Sequence, residues 1–321
     1  MPTHRSPARA RQLALLGVPI LVLATVGCSD SSDDVARDAS TTTADAAPTT
    51  TTTTTAPAVE VDQTPPLGAN GIKVGEKVGG EDTLWIASLG SDVVLQVDSS
   101  TGRILRRIDA PAASGPDDVA VAEDGTVYWT GFLSGAVGAI APGEVRTTVV
   151  ANVGSGANPI ALRDDGTLVV GRAGAATGLF SVDPSGDTEP VPLGDPGNVN
   201  SFDITPDGLL YAPSLDSSSV LEIDADTGET LRTVATLEGA PIALRWHEDQ
   251  IYVLVLSDST RVVRVDPASG ATELFAETGL PAADNLAVGE DGSVYVSGLS
   301  VPTVTVIGPD GQVERTIQVG G

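Results

Sequence analysis

The chain has 321 residues, enough for one large domain or two small ones, and carries 43 acidic against 17 basic side chains, a formal charge of −26. That balance speaks against nucleic acid, whose phosphates are met by Lys and Arg, and against electrostatic docking on an anionic bilayer. It favours solubility and, where acids converge, attraction of cations or basic partners.

Met1 to Arg11 is short and basic, with Arg5, Arg9 and Arg11 and no acid, and Leu13 to Val26 is an apolar run of 14 residues followed by Gly27 and Cys28. A membrane-spanning helix needs about 20 such residues, so the run suits the h-region of an export signal. Its end resembles the bacterial lipoprotein signal, in which a small residue precedes a cysteine that is lipidated and becomes the new N-terminus. Thr25 is a departure, since that signal prefers Leu there. Cys28 is the only cysteine in the chain; its lipidation leaves no disulfide and no Cys-ligated metal. The expectation is a signal peptide over 1–27 and a lipid anchor on the extracytoplasmic face of the cell membrane, with more than one acyl chain for stable attachment.

Residues 28–66 read as a tether. They include SDSSDD, three threonines at 41–43 and seven at 49–55 between Pro48 and Pro57. With almost no large apolar side chain, the stretch cannot offset the conformational entropy of folding. Extended at about 3.1 Å per residue it would reach on the order of 100 Å.

From residue 67 to 321 the sequence repeats. Short apolar strands centred on Trp85, Tyr128, Val169, Tyr211, Tyr252 and Tyr295 recur every 41–43 residues. Most are preceded by an apolar strand and an acidic-Gly turn, as in VAVAEDG at 119–125, IALRDDG at 160–166, FDITPDG at 202–208 and LAVGEDG at 286–292. An Asp-Gly pair between alternating apolar runs is a strong hairpin signal. A third strand (VVLQVD, VLEIDAD, VVRVDPA), a second Gly turn and a fourth strand complete each unit. Six four-stranded units of this length predict an all-β six-bladed propeller. The first unit lacks an Asp-Gly turn, and GANGIKVG at 68–75 must supply its innermost strand.

These blades resemble those of gluconolactonase-like propellers (the senescence-marker protein family) and of NHL-repeat propellers, which read roughly P-x-G-I-A-V-x-x-D-G-x-V-Y-V. With its signal and Thr-rich tether the whole chain also resembles surface lipoproteins of high-GC Gram-positive bacteria.

In a propeller the starts of the innermost strands converge on one mouth of the central channel. The residue two before each inner apolar triplet is Asn70, Asp117, Asn158, Asn200, Ala240 and Asp284, with Asp118 and Asn285 one position later. Such oxygen donors suit Ca²⁺ or a similar hard cation, and they equally suit turn residues bonding to nearby backbone. The resemblance implies a metal-dependent lactone hydrolase, with Asn158 and Asn200 on the family's asparagine positions and Asp284 or Asp117 as its aspartate. The family's first-strand acid is missing, since GAN stands there. Arg172, a rare cation in a loop on the same face, is a candidate for a ligand carboxylate.

His247 is the only histidine beyond His4 and falls in a turn away from the mouth, which disfavours His-based triads, His-ligated zinc and the streptogramin-lyase type of propeller. Lys73 and Asp203 stand where most inner strands have Ala. Three functions follow as expectations: a propeller that binds a small molecule, glycan or envelope protein at its channel face without catalysis, a Ca-type lactonase or esterase, and an envelope assembly scaffold.

Overall fold

The computed structural model describes residues 60–320. The expected signal peptide, Cys28 and the Thr-rich part of the tether lie outside the described residues. Among the described residues, no helix is long and apolar enough to cross a membrane.

Six antiparallel four-stranded sheets, each drawn from one contiguous stretch, form blades over 72–109, 116–152, 157–192, 203–236, 240–277 and 283–318. Their innermost strands are Ile72–Val78, Pro116–Val121, Ala157–Leu162, Asp203–Ile204, Ala240–His247 and Ala283–Val288. Each stands beside the next, and that of blade 6 stands beside that of blade 1, so the ring is closed. The chain is an all-β six-bladed propeller.

Local chemistry sets the hairpins. In blades 2, 3 and 6, Asp124, Asp165 and Asp291 accept the backbone N–H two residues on, at 2.8–2.9 Å. The glycines that follow them, Gly125, Gly166 and Gly292, sit at φ +82 to +85, a region open to Gly at no steric cost. Blade 1 turns instead on Gly79 and Gly80, both at positive φ, between the paired Val78 and Glu81.

The core lies between blades. One buried cluster joins Ile72, Ile86 and Leu95 of blade 1 to Ala287, Tyr295 and Val306 of blade 6. Another joins Tyr211 and Val220 of blade 4 to Leu244 and Val253 of blade 5. Tyr211, Tyr252 and Tyr295 are buried at the recurring strand position, as core residues.

Among the described residues no strand is exchanged to close the ring. Blades 6 and 1 meet through the N–H of Ala69 on the carbonyl of Gly298 (3.0 Å) and the Ser297 hydroxyl on the carbonyl of Asn70 (2.8 Å). The end of the tether adds a clasp. Val61 packs against the blade 1–blade 6 cluster, and the Gln63 amide both donates to the carbonyl and accepts the N–H of Ile104, each at 2.9 Å. The chain then crosses from the start of the outer strand Ile104–Asp109 to the opposite end of the ring, where the N–H of Leu67 donates to Ser91 Oγ at 2.8 Å.

Gln63→Ala removes both bonds to Ile104 and should cost about 1–2 kcal/mol in a urea titration. Gln312→Ala, at an exposed glutamine, should stay within about 0.5 kcal/mol of the parent.

Candidate binding face at the channel mouth

Strand pairing defines equivalent positions around the axis. Opposite the recurring aromatic or Val of each second strand lie Lys73, Ala120, Ala161, Asp203, Arg245 and Ala287. Three of these six axial positions are therefore charged: Lys73, Asp203 and Arg245. Blade 5 corrects the sequence reading. Its inner strand joins the next by a two-residue turn, Glu248–Asp249, both at positive φ between the paired His247 and Gln250. The Asp-Gly turns of other blades are longer, so aligning the IAL triplets placed blade 5 two residues early. Ile242, not Ala240, takes the place of Asp117, and Arg245 takes the place of Ala120. Counting back from Tyr252 across a two-residue turn would have found Arg245.

Arg245 is the centre of a buried network that closes the hub. Its guanidinium donates to Ser201 Oγ (2.8 Å), the carbonyl of Leu244 (2.7 Å) and Asn285 Oδ1 (2.9 Å), and lies 3.5 Å from Asp118 Oδ1. Asp118 also accepts from Ser201 Oγ (3.0 Å), Asn285 Nδ2 (3.1 Å) and the N–H of Val119 (2.9 Å). Four blades are thus tied together by Asp118, Ser201, Arg245 and Asn285, all buried. Burial pushes the Asp118 carboxyl up, while Arg245, Lys73, the Val119 N–H and Ser201 oppose that shift. Further along the axis Lys73 Nζ meets Asp203 Oδ1 at 3.2 Å, and Asp203 Oδ2 accepts the N–H of Trp246 at 3.1 Å. Burial and the nearby Arg245 hold the Lys73 ammonium below its usual range, against the pull of Asp203.

The mouth is built differently. Asp117 is only 7% exposed, and among the described residues its carboxylate has no hydrogen-bond donor or cation; burial, Asp284 and Asp118 all push its pKa up. Asp284 accepts one bond, from Asn70 Nδ2 at 3.3 Å, and burial raises its carboxyl to about 6 despite that bond. The axis therefore holds two ion pairs, Arg245 with Asp118 and Lys73 with Asp203, and two uncompensated carboxylates at the mouth.

The remaining predicted residues divide. Asn70 Oδ1 is occupied by the N–H of Leu89 (3.0 Å) and Asn200 Oδ1 by the N–H of Ser201 (2.9 Å), so both amide oxygens serve local turns. Asn158 contributes its backbone, its carbonyl accepting from Thr130 Oγ1 at 2.6 Å. Arg172 ends the second strand of blade 3 at the mouth end, opposite Ala157; its guanidinium lies 5.0 Å from the centre of the Phe180 ring and donates to the carbonyls of Val153 and Thr177, beside a cavity of 540 Å³. His247 ends the inner strand of blade 5, at the end of the axis opposite the mouth, with its ring edge-on to Tyr252.

A divalent cation at the mouth would meet two carboxylates, while two of the three amide oxygens are already engaged. Among the described residues no group of three or more His, Cys, Asp or Glu is arranged to hold a metal ion. The residues present do not form a complete hard-cation cage.

Arg245→Ala should cost about 3–5 kcal/mol, because it leaves Asp118 buried and unpaired. Asp284→Asn should do the reverse. A carboxyl whose folded pKa is raised takes up protons in the native state, so its penalty is absent below the unfolded value near 4 and complete above about 6. The variant should gain on the order of 1–3 kcal/mol over wild type at pH 7.5 and almost nothing at pH 4. An equal gain at both pH values would count against a strained carboxylate.

Comparison with known proteins places this geometry among others of its kind. A family model described as "Strictosidine synthase-like, N-terminal" matches residues 103–140. No curated protein matches in sequence. Among solved structures, a chain of a nidogen/laminin complex is 17% identical with a TM-score of 0.62, covering 74% of this chain and 93% of that one. A streptogramin B lyase is 14% identical at 0.56, covering 79% and 84%. A gluconolactonase from Xanthomonas campestris is 18% identical at 0.56, covering 80% and 88%. At these identities the likeness establishes the fold alone, a six-bladed propeller.

Proposed function

We propose that the chain is an extracytoplasmic binding lipoprotein, held to the cell membrane by lipid on Cys28, whose propeller receives a ligand or partner at the channel mouth without turning it over. The observation that carries the binding face is the pair Asp117 and Asp284, left without a counter-charge on an axis where the other charged side chains are paired. Polar groups deeper in the hub are engaged with one another, so what remains available for recognition lies at the entrance. The anchor rests on the basic start, the short apolar run and the single cysteine at its end.

A hydrolytic reading has one observation in its favour. A carboxyl raised to about 6 exchanges its proton close to neutral pH, as a general base requires, and a gluconolactonase is among the structural neighbours. The incomplete metal cage weighs against it.

Cys28→Ala should move the protein from the membrane to the soluble fraction; unchanged membrane association would remove the anchor. For the mouth, the melting of the full mature chain is followed with Ca²⁺, Mn²⁺, Zn²⁺, sugars and amines. Stabilisation by one of these that is lost in Asp117→Asn/Asp284→Asn supports binding at the mouth. Chelator-sensitive hydrolysis of a lactone would replace it with the enzymatic reading.

A further inference from the structure

The mouth has two unlike halves. Blades 6, 1 and 2 supply Asp284, Asn70 and Asp117, and the same three blades carry exposed apolar side chains on their mouth loops: Leu299 and Val301, Leu67, and Leu133, at 39–72% exposure. Blades 3, 4 and 5 present small and polar loops instead, Ala-Gly-Ala-Ala-Thr at 173–177, Asp-Ser-Ser at 216–218 and Ser-Asp-Ser at 257–259, with Leu256 as their one exposed large apolar residue.

The apolar residues are arranged as a crescent, because glycines let the loops that carry them close up. A Cβ at Gly68 would stand 2.5 Å from the carbonyl oxygen of Leu299, one at Gly90 3.0 Å from Leu67 Cβ, and one at Gly115 2.8 Å from Leu133 Cγ and 3.3 Å from Leu89 Cγ. Leu299, Leu67, Leu89 and Leu133 thus follow one another around the rim above the two carboxylates. A large apolar patch bordered by polar groups marks an interaction surface.

We propose that this half of the mouth docks a protein segment in which a Lys or Arg is flanked by apolar side chains. The inference rests on the mouth being the binding face, and it specifies the partner. The cation enters between Asp117 and Asp284 and supplies the charge that the axis lacks, its alkyl stem lying along the rim. The flanking apolar residues cover the leucine crescent and exclude water from the ion contact, which strengthens it. A bare metal ion would leave the crescent in water. An anionic bilayer would be repelled by a chain of charge −26. A second copy meeting this face symmetrically would set carboxylate against carboxylate.

The test selects a random peptide library on the full mature chain and measures the selected peptides by fluorescence anisotropy against two double variants. The expected result is enrichment of Lys or Arg beside Leu, Ile or Phe. Affinity should fall about tenfold or more in Asp117→Asn/Asp284→Asn, and separately in Leu133→Ser/Leu299→Ser. Binding to wild type should weaken as salt is raised. Both variants alter side chains at the mouth without removing a hub contact, and their melting curves report that they fold. No enrichment, enrichment without a basic residue, or binding indifferent to both variants overturns the proposal. If peptides fail while a metal ion or small amine stabilises the protein through Asp117 and Asp284, this inference alone falls. If nothing acts through those carboxylates, the binding-face reading falls with it.

Discussion

The six innermost strands run side by side around one axis, and burying a charged side chain there is costly unless a counter-charge reaches it from another blade. Three of the six equivalent positions carry charge, on blades 1, 4 and 5. Lys73 reaches across to Asp203, while Arg245 reaches instead to Asp118 of blade 2. These contacts are long in sequence and short in space. They form only when all the blades are in place, which makes the hub a check on complete ring closure rather than a stabiliser of any one blade. Ser201 and Asn285 engage both terminal nitrogens of Arg245 and both oxygens of Asp118, and of these four side chains only the Arg245 Nε–H is left without a partner, so the cluster is mostly satisfied and favours one arrangement.

Asp117 and Asp118 show how sharply this environment discriminates between neighbours. They are adjacent in sequence, of one residue type, and both buried. Asp118 receives hydroxyl, amide and backbone donors and faces a guanidinium, and Asp117 receives neither donor nor cation among the described residues. An extra residue in the inner strand of blade 2, at the irregular pairing between Pro116 and Val119, aims the two side chains differently. The same irregularity recurs in blades 3, 5 and 6, so the separation of mouth from hub is a property of the repeat. What distinguishes the mouth here is that two blades placed carboxylates at this inner-strand position and none placed a cation at it.

Much of the architecture was legible because its causes are local. Apolar alternation and Asp-Gly turns at 41–43-residue spacing fix hairpins without reference to the rest of the chain, and the hairpins fix the blades. The oddity of Lys73 and Asp203 was visible as a breach of the repeat, but their pairing was not, since it spans 130 positions. Arg245 was hidden for a different reason: a two-residue turn shortened the hairpin and shifted the frame, so a charged hub residue looked like part of a turn. The Gln63 clasp had no sequence signal, because a glutamine side chain bonded to the N–H and carbonyl of one distant residue leaves no periodic trace. The clustering of Leu67, Leu133 and Leu299 was equally silent; each is one apolar residue in a loop until closure brings blades 6, 1 and 2 side by side.

The path of the chain onto the ring bears on how such a mouth would be displayed. Gln63 is fastened where the outer strand of blade 1 begins, at the end of the axis away from the mouth, and the following residues climb to Leu67 on the rim. Gln63 thus lies on the side that carries His247 and the Asp-Gly turns rather than the leucine crescent. With the proposed lipid on Cys28, pull along the chain falls first on Val61 and Gln63, hence on the seam between blades 6 and 1. The clasp and the hub then share the load that would otherwise open the ring at its weakest covalent point, the place where the last blade meets the first without any strand in common.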